Sequence, residues 1–141
     1  MATEETQQRN AELAVEAFDR WLDGNVEGTL ELLDPEVEIY VPVELANTGT
    51  YRGHEEFLRW TADWDEAWTN YEMTVNEISP LGERHVVSSI TQRAEGAGSG
   101  IPVEMDLTWL TEVRNGKVVA VHLYATEEQA RKVGAEREAA G

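Results

Sequence analysis

A chain of 141 residues that sets 11 Lys and Arg against 28 Asp and Glu carries a formal charge of −17, and it contains no cysteine. That balance excludes the basic footprint needed to hold nucleic acid or an anionic membrane surface. The missing thiols exclude disulfides, zinc–thiolate sites and cysteine nucleophiles together.

Hydrophobic residues make up 41% of the chain and include five Trp, which suits a single domain with a sizeable core rather than a disordered chain. No apolar run approaches the ~20 residues needed to cross a bilayer. The opening MATEETQQRN is polar and acidic, without the basic-then-apolar layout of a secretory signal, so a cytoplasmic protein is expected.

Residues 1–9 read as a flexible lead-in, 10–134 as one domain and 135–141 as a flexible tail. From Asn10, the apolar positions Leu13, Ala14, Ala17, Phe18, Trp21 and Leu22 fall three and four apart, which is one face of a helix. Gly24 sits where helices commonly end. A short second helix runs from Val26 to Leu33, with Asp34-Pro35 as its stop. VEIYVPVE (37–44) alternates as a strand, and ELANTGTYRG reads as a loop. The helical period returns from His54 to Trp68, with Phe57, Trp60, Trp64 and Trp68 on one face. Residues 71–79, 85–95, 101–114 and 117–125 read as four strands, with Asn115-Gly116 a tight hairpin. A last helix starts at Thr126 with the signal Thr-Glu-Glu-Gln and runs to about Gly134. The order α-α-β-α-β-β-β-β-α predicts an α+β fold with helices covering a curved antiparallel sheet.

Three stretches carry a family resemblance: AVEAFDRWLDGNVEGTLELLDPEVEIYVP, the junction TGTYRGHEEFLRW, and the closing LTEVRNGKVVAVHLYATEEQA. With the connecting strands they span about residues 10 to 134. The chain resembles the nuclear transport factor 2-like superfamily, in its SnoaL-like (polyketide cyclase-like) branch. The resemblance implies a cone-shaped α+β barrel, a pocket opening at one end and homodimers formed through the sheet's outer face. On that outer face the sequence places Leu110, His122 and Tyr124. It also implies that Tyr51 sits at the pocket mouth while Gly53 turns the chain into the helix.

The catalytic sets of enzymes on this fold do not carry over. Where ketosteroid isomerases use a Tyr, a base Asp and a protonated Asp, this chain has Phe18, Val41 and Trp109. The Asp-Arg-Asp set of limonene-type epoxide hydrolases falls near Leu123 and around Ser89 to Gln92. The acid of SnoaL-type cyclases falls near Glu104 or Asp106, which alternate with Val103, Met105, Leu107 and Trp109 and so face away from the pocket.

What remains for acid–base work is Tyr40 and Glu44 at the end of the first strand, and His54 beside the mouth. His85, just after a turn, reads as a surface residue, and His122 as an interface residue. The pocket wall is assigned to Phe18, Tyr51, Trp60, Trp64, Leu107, Trp109 and Val121. The histidines lack metal-ligand spacing and no carboxylate-rich calcium loop is present, so neither metal nor cofactor is expected. The expected function is a pocket for a small hydrophobic molecule, with proton-transfer chemistry (isomerisation, cyclisation, dehydration or hydrolysis) at Tyr40, Glu44 and His54. The alternative is a non-catalytic binding or dimerisation module on the same fold.

Overall fold

Residues 3–42 and 49–140 are described by a computed structural model of the chain. Helix α1 (Glu4–Leu22) buries Asn10, Ala14, Phe18 and Trp21, the stripe that the apolar spacing marks. It starts two turns before the first apolar residue, because polar groups hold its opening. Thr3 caps it by accepting from the Thr6 amide at 3.1 Å. Gln7 donates to the Gly82 carbonyl at 3.2 Å and Asn10 to that of Glu83 at 2.7 Å. The stretch 4–9 is therefore helix, not lead-in.

Helix α2 (Val26–Leu32) is capped by Asn25 and passes directly into strand β1 (Leu33–Val41), so Asp34-Pro35 opens a strand rather than a loop. Strand β2 (Gly49–Arg52), read from sequence as loop, pairs antiparallel with β1 and sets Tyr51 opposite Ile39. Gly53, at φ +80°, turns the chain into helix α3 (Gly53–Ala67), which buries Phe57, Trp60 and Trp64.

Strands β3 (Trp68–Leu81), β4 (His85–Gly96), β5 (Pro102–Arg114) and β6 (Lys117–Tyr124) form an antiparallel meander. Asn115 and Gly116, both at positive φ, close the β5–β6 hairpin. The sheet is not wholly antiparallel as expected: β1 lies parallel to β6, Tyr40 beside His122. A parallel pair needs a long crossover, and α3 with the whole meander supplies it. The strand order is β2-β1-β6-β5-β4-β3, a curved sheet that does not close on itself.

The main core fills the concave side, under α1 and α3. Helix α4 (Glu127–Ala140) lies on the opposite face, where Ala130 packs with Val87 and Leu110. Here too the sequence reading is corrected. The helix runs on to Ala140 because Glu138 is tied to the β3–β4 turn, accepting from the Glu83 and Arg84 amides, each at 2.9 Å. Leu110, assigned to a dimer contact, is covered by the chain's own α4.

Candidate functional site

The concave face of the sheet and the helices above it enclose a cavity of about 50 Å³, room for a few waters. Strand parity builds its floor. Ser88 on β4 pairs with Trp109 on β5, and Trp109 with Leu123 on β6, so these side chains share the inner face. The roof comes from Ala14, Ala17, Phe18 and Trp21 of α1 and from Phe57 and Trp60 of α3. Trp21 stacks on Trp60 at 5.4 Å between ring centroids and meets Trp109 edge-on at 5.8 Å. Phe18 also meets Trp109 edge-on, at 5.2 Å. This aromatic cluster gains from both burial and ring geometry.

Among the described residues, the lining contains no carboxylate, imidazole, phenol, ammonium or guanidinium. Its polar side chains are Thr29, Ser88 and Thr111, and Thr29 already donates to the Asn25 carbonyl at 2.9 Å. The Trp21 indole N–H donates to Thr61 Oγ1 at 3.2 Å. The Trp60 and Trp109 indoles, by contrast, are buried with no partner among the described residues.

Of the residues assigned to the pocket wall, Phe18, Trp60, Trp109 and Val121 line the cavity. Trp64, Leu107 and Tyr51 belong to the surrounding core without lining it. Tyr51 is buried rather than open at a mouth, with the Arg59 guanidinium 5.2 Å from its ring centre.

The acid–base candidates do not converge on the cavity. Val37, Ile39 and Val41 point inward at 0–1% exposure, which turns Tyr40 to the outer face beside His122 and Tyr124. His54 lies within 3.1 Å of the Leu33 carbonyl through Nε2, tying α3 to the start of β1. Glu44 lies outside the described residues.

The outer face carries two polar clusters that the sequence reading did not assemble. In the first, His122 is 2.7 Å through Nε2 from Glu38, which also receives Arg52 at 2.6 Å, and the Tyr124 hydroxyl lies 3.5 Å from His122 Nδ1. Burial lowers the His122 pKa, with the nearby positive charge of Arg137 adding to it, and these outweigh the upward pull of Glu38. Burial likewise raises that of Tyr124.

In the second cluster, His85 is only 1% exposed, not a surface residue. Its Nδ1 donates to Glu138 at 2.5 Å, while Nε2 lies 3.6 Å from Glu112. Arg114 and Arg137 complete the charge around Glu112. The reason is the length of α4, which carries Glu138 over the turn. The alternation of VVAVHLY and VEIYV was the signal for the first cluster; no local signal announced the second.

Among the described residues, no group of three or more His, Asp and Glu is arranged to hold a metal ion. No described helix is long and apolar enough to cross a membrane.

Residues 14–121 match the model of the SnoaL-like domain. No protein of curated function matches the chain in sequence. Solved structures superpose along nearly the whole chain at low identity. A nuclear transport factor 2-like protein from Burkholderia xenovorans LB400 is 20% identical, covers 91% of this chain and 96% of its own, and gives a TM-score of 0.74. A SnoaL-like polyketide cyclase, so designated provisionally, from Jannaschia sp. CCS1 is 17% identical, with coverage of 88% and 90% and a TM-score of 0.75. TerC, co-crystallised with polyporic acid, is 19% identical, with coverage of 90% and 98% and a TM-score of 0.74. At these identities the likeness establishes the fold.

Proposed function

The chain belongs to the SnoaL-like domain family, and on that premise we propose that it binds a small hydrophobic molecule in the cavity between α1, α3 and the inner face of the sheet. One observation carries this reading: the lining is aromatic and aliphatic, relieved only by hydroxyls. Such a wall takes up apolar surface at about 25 cal/mol per Å² and offers few polar contacts for orientation. A relative on this fold, TerC, was crystallised with an organic acid, which supports the same general use of the fold.

The lining also favours binding over proton transfer. General acid–base catalysis needs a titratable group within hydrogen-bond reach of the reacting atom. Among the described residues, Tyr40 faces outward and His54 is engaged with the Leu33 carbonyl. The non-catalytic reading is therefore the one supported best.

Titration with xenon, an apolar probe small enough for the cavity, followed by tryptophan emission, tests the proposal. Trp21, Trp60 and Trp109 line the cavity, so occupancy changes their surroundings. The expected result is saturable binding that Val121→Phe abolishes while leaving the circular dichroism spectrum intact. An unchanged emission spectrum up to millimolar probe would refute the reading.

A further inference from the structure

The floor of the cavity carries two hydroxyls that no side chain or backbone group engages. Ser88 and Thr111 line it and are only 7% and 5% exposed, yet neither side chain makes a hydrogen bond among the described residues. The indole nitrogens of Trp60 and Trp109 are sealed off from any open space, whereas these two hydroxyl oxygens are not. For residues so deeply buried on the inner face of the sheet, the open space they meet is the cavity. Thr29, the third hydroxyl of the lining, already donates to the Asn25 carbonyl at 2.9 Å.

Strand register sets the two free hydroxyls side by side. Ser88 of β4 pairs with Trp109 of β5, and Thr111 stands two residues further along β5 on the same face. Such diagonal neighbours lie about 7 Å apart, a span that one oxygen bonded to both hydroxyls at about 2.8 Å can bridge. We propose that Ser88 and Thr111 form a polar subsite that holds the hydroxyl of a short neutral alcohol, its carbons laid against Phe18, Trp21 and Trp109. The inference rests on the reading of the cavity as a binding site, and adds which group the ligand presents and how large it can be.

Size narrows the class first. One water takes at least about 10–15 Å³ of such a cavity, so 50 Å³ admits about three non-hydrogen atoms, the number in ethanol. Water is the competing occupant. Each buried water makes about three hydrogen bonds, and among the described residues the lining offers only two hydroxyls without a protein partner. An alcohol needs partners for one oxygen and buries its carbons on the rings. A hydrocarbon of that size would leave both hydroxyls unbonded, which buried polar groups rarely are. A charged ligand would give up its hydration for a lining without charge among the described residues. A hydroxyl also donates and accepts at once, as both side chains do.

The test compares ethanol with xenon, which fills apolar space and makes no hydrogen bond. Each is titrated into the wild-type chain and into Ser88→Ala/Thr111→Val. The readout is the methyl ¹H–¹³C signals of Ala14, Ala17 and Val121, which line the cavity. Ethanol is expected to shift these signals saturably in the wild type and to bind about tenfold more weakly for each hydroxyl removed. Xenon should bind the double variant at least as well as the wild type. If the double variant does not fold, Thr111→Val alone keeps the side-chain shape and should show a single such step.

Xenon binding without ethanol binding would overturn the subsite and leave the apolar reading of the cavity standing. So would ethanol binding that is equal in the wild type and the variant. Slowly exchanging water beside these methyls that ethanol fails to displace would overturn it too, leaving water as the occupant. Ethanol binding without xenon binding would uphold the subsite and refute a purely apolar ligand. If neither probe binds, both readings fall.

Discussion

Replacing Glu138 by Ala removes the one carboxylate that joins the end of α4 to the β3–β4 turn. Three donors lose their acceptor: the Glu83 and Arg84 amides, each at 2.9 Å, and His85 Nδ1 at 2.5 Å. The two amides lie in a turn where water can replace the carboxylate, so their loss costs little. His85 is 1% exposed, and its orphaned N–H keeps the full penalty of a bond to a charged group. The sum is about 2–4 kcal/mol. With a urea slope of about 2 kcal/mol per M for a domain of this size, the unfolding midpoint should fall by about 1–2 M. Glu138→Gln keeps one carbonyl acceptor and should lose roughly half as much.

The pH dependence has a defined sign. Burial pushes the Glu138 pKa up, but hydrogen bonds from His85 and the two amides outweigh it and hold the carboxyl below its ordinary 4.5. A carboxyl depressed in the folded state adds stability above its unfolded pKa and loses it as pH falls through the folded value. The gap between wild type and Glu138→Ala should therefore be full at neutral pH and close below about pH 4.5. A Glu138→Ala unfolding free energy within about 0.5 kcal/mol of wild type, the scatter of neutral surface changes, would show that α4 is not fastened at this end.

Gly53→Ala forces a Cβ into the left-handed region at φ +80°, 3.4 Å from the Pro35 carbonyl oxygen. It should cost about 1–2 kcal/mol in denaturant unfolding; a neutral result would mean that the β2–α3 junction relaxes freely. Glu38→Gln removes the carboxylate that pulls the His122 pKa upward against burial and Arg137. The already lowered pKa should fall further in an imidazole proton titration, and the stability lost as pH drops below the ordinary 6.5 should grow. An unchanged or raised pKa would contradict the assigned contact.

The concave half of the molecule was readable because period and packing coincide there. Ala14, Phe18 and Trp21, and likewise Phe57, Trp60 and Trp64, recur at helical spacing and are the residues that α1 and α3 bury. Alternation turns Trp109 inward and the family resemblance turns Val121 inward, and both line the cavity. The same alternation, applied to Val37, Ile39 and Val41, would have turned Tyr40 outward; its place at a strand end drew attention to the pocket instead. What periodicity could not convey was long-range pairing. The parallel register of β1 on β6 joins Tyr40 to His122 across 82 residues of chain. The bond from His85 to Glu138 depends on six further residues of helix beyond Gly134, where a weakly amphipathic, polar stretch resembles a tail.

The fold separates its polar chemistry by face, and this bears on what the protein can do. The outer face gathers the titratable pairs, Glu38 with His122 and Glu138 with His85, and His85 Nε2 is left without a hydrogen-bond partner among the described residues. The inner face keeps hydroxyls, indoles and one unpaired amide. An uncharged lining discriminates by shape rather than by charge, so any binding there should vary little with pH or salt. Surface electrostatics, by contrast, respond to both.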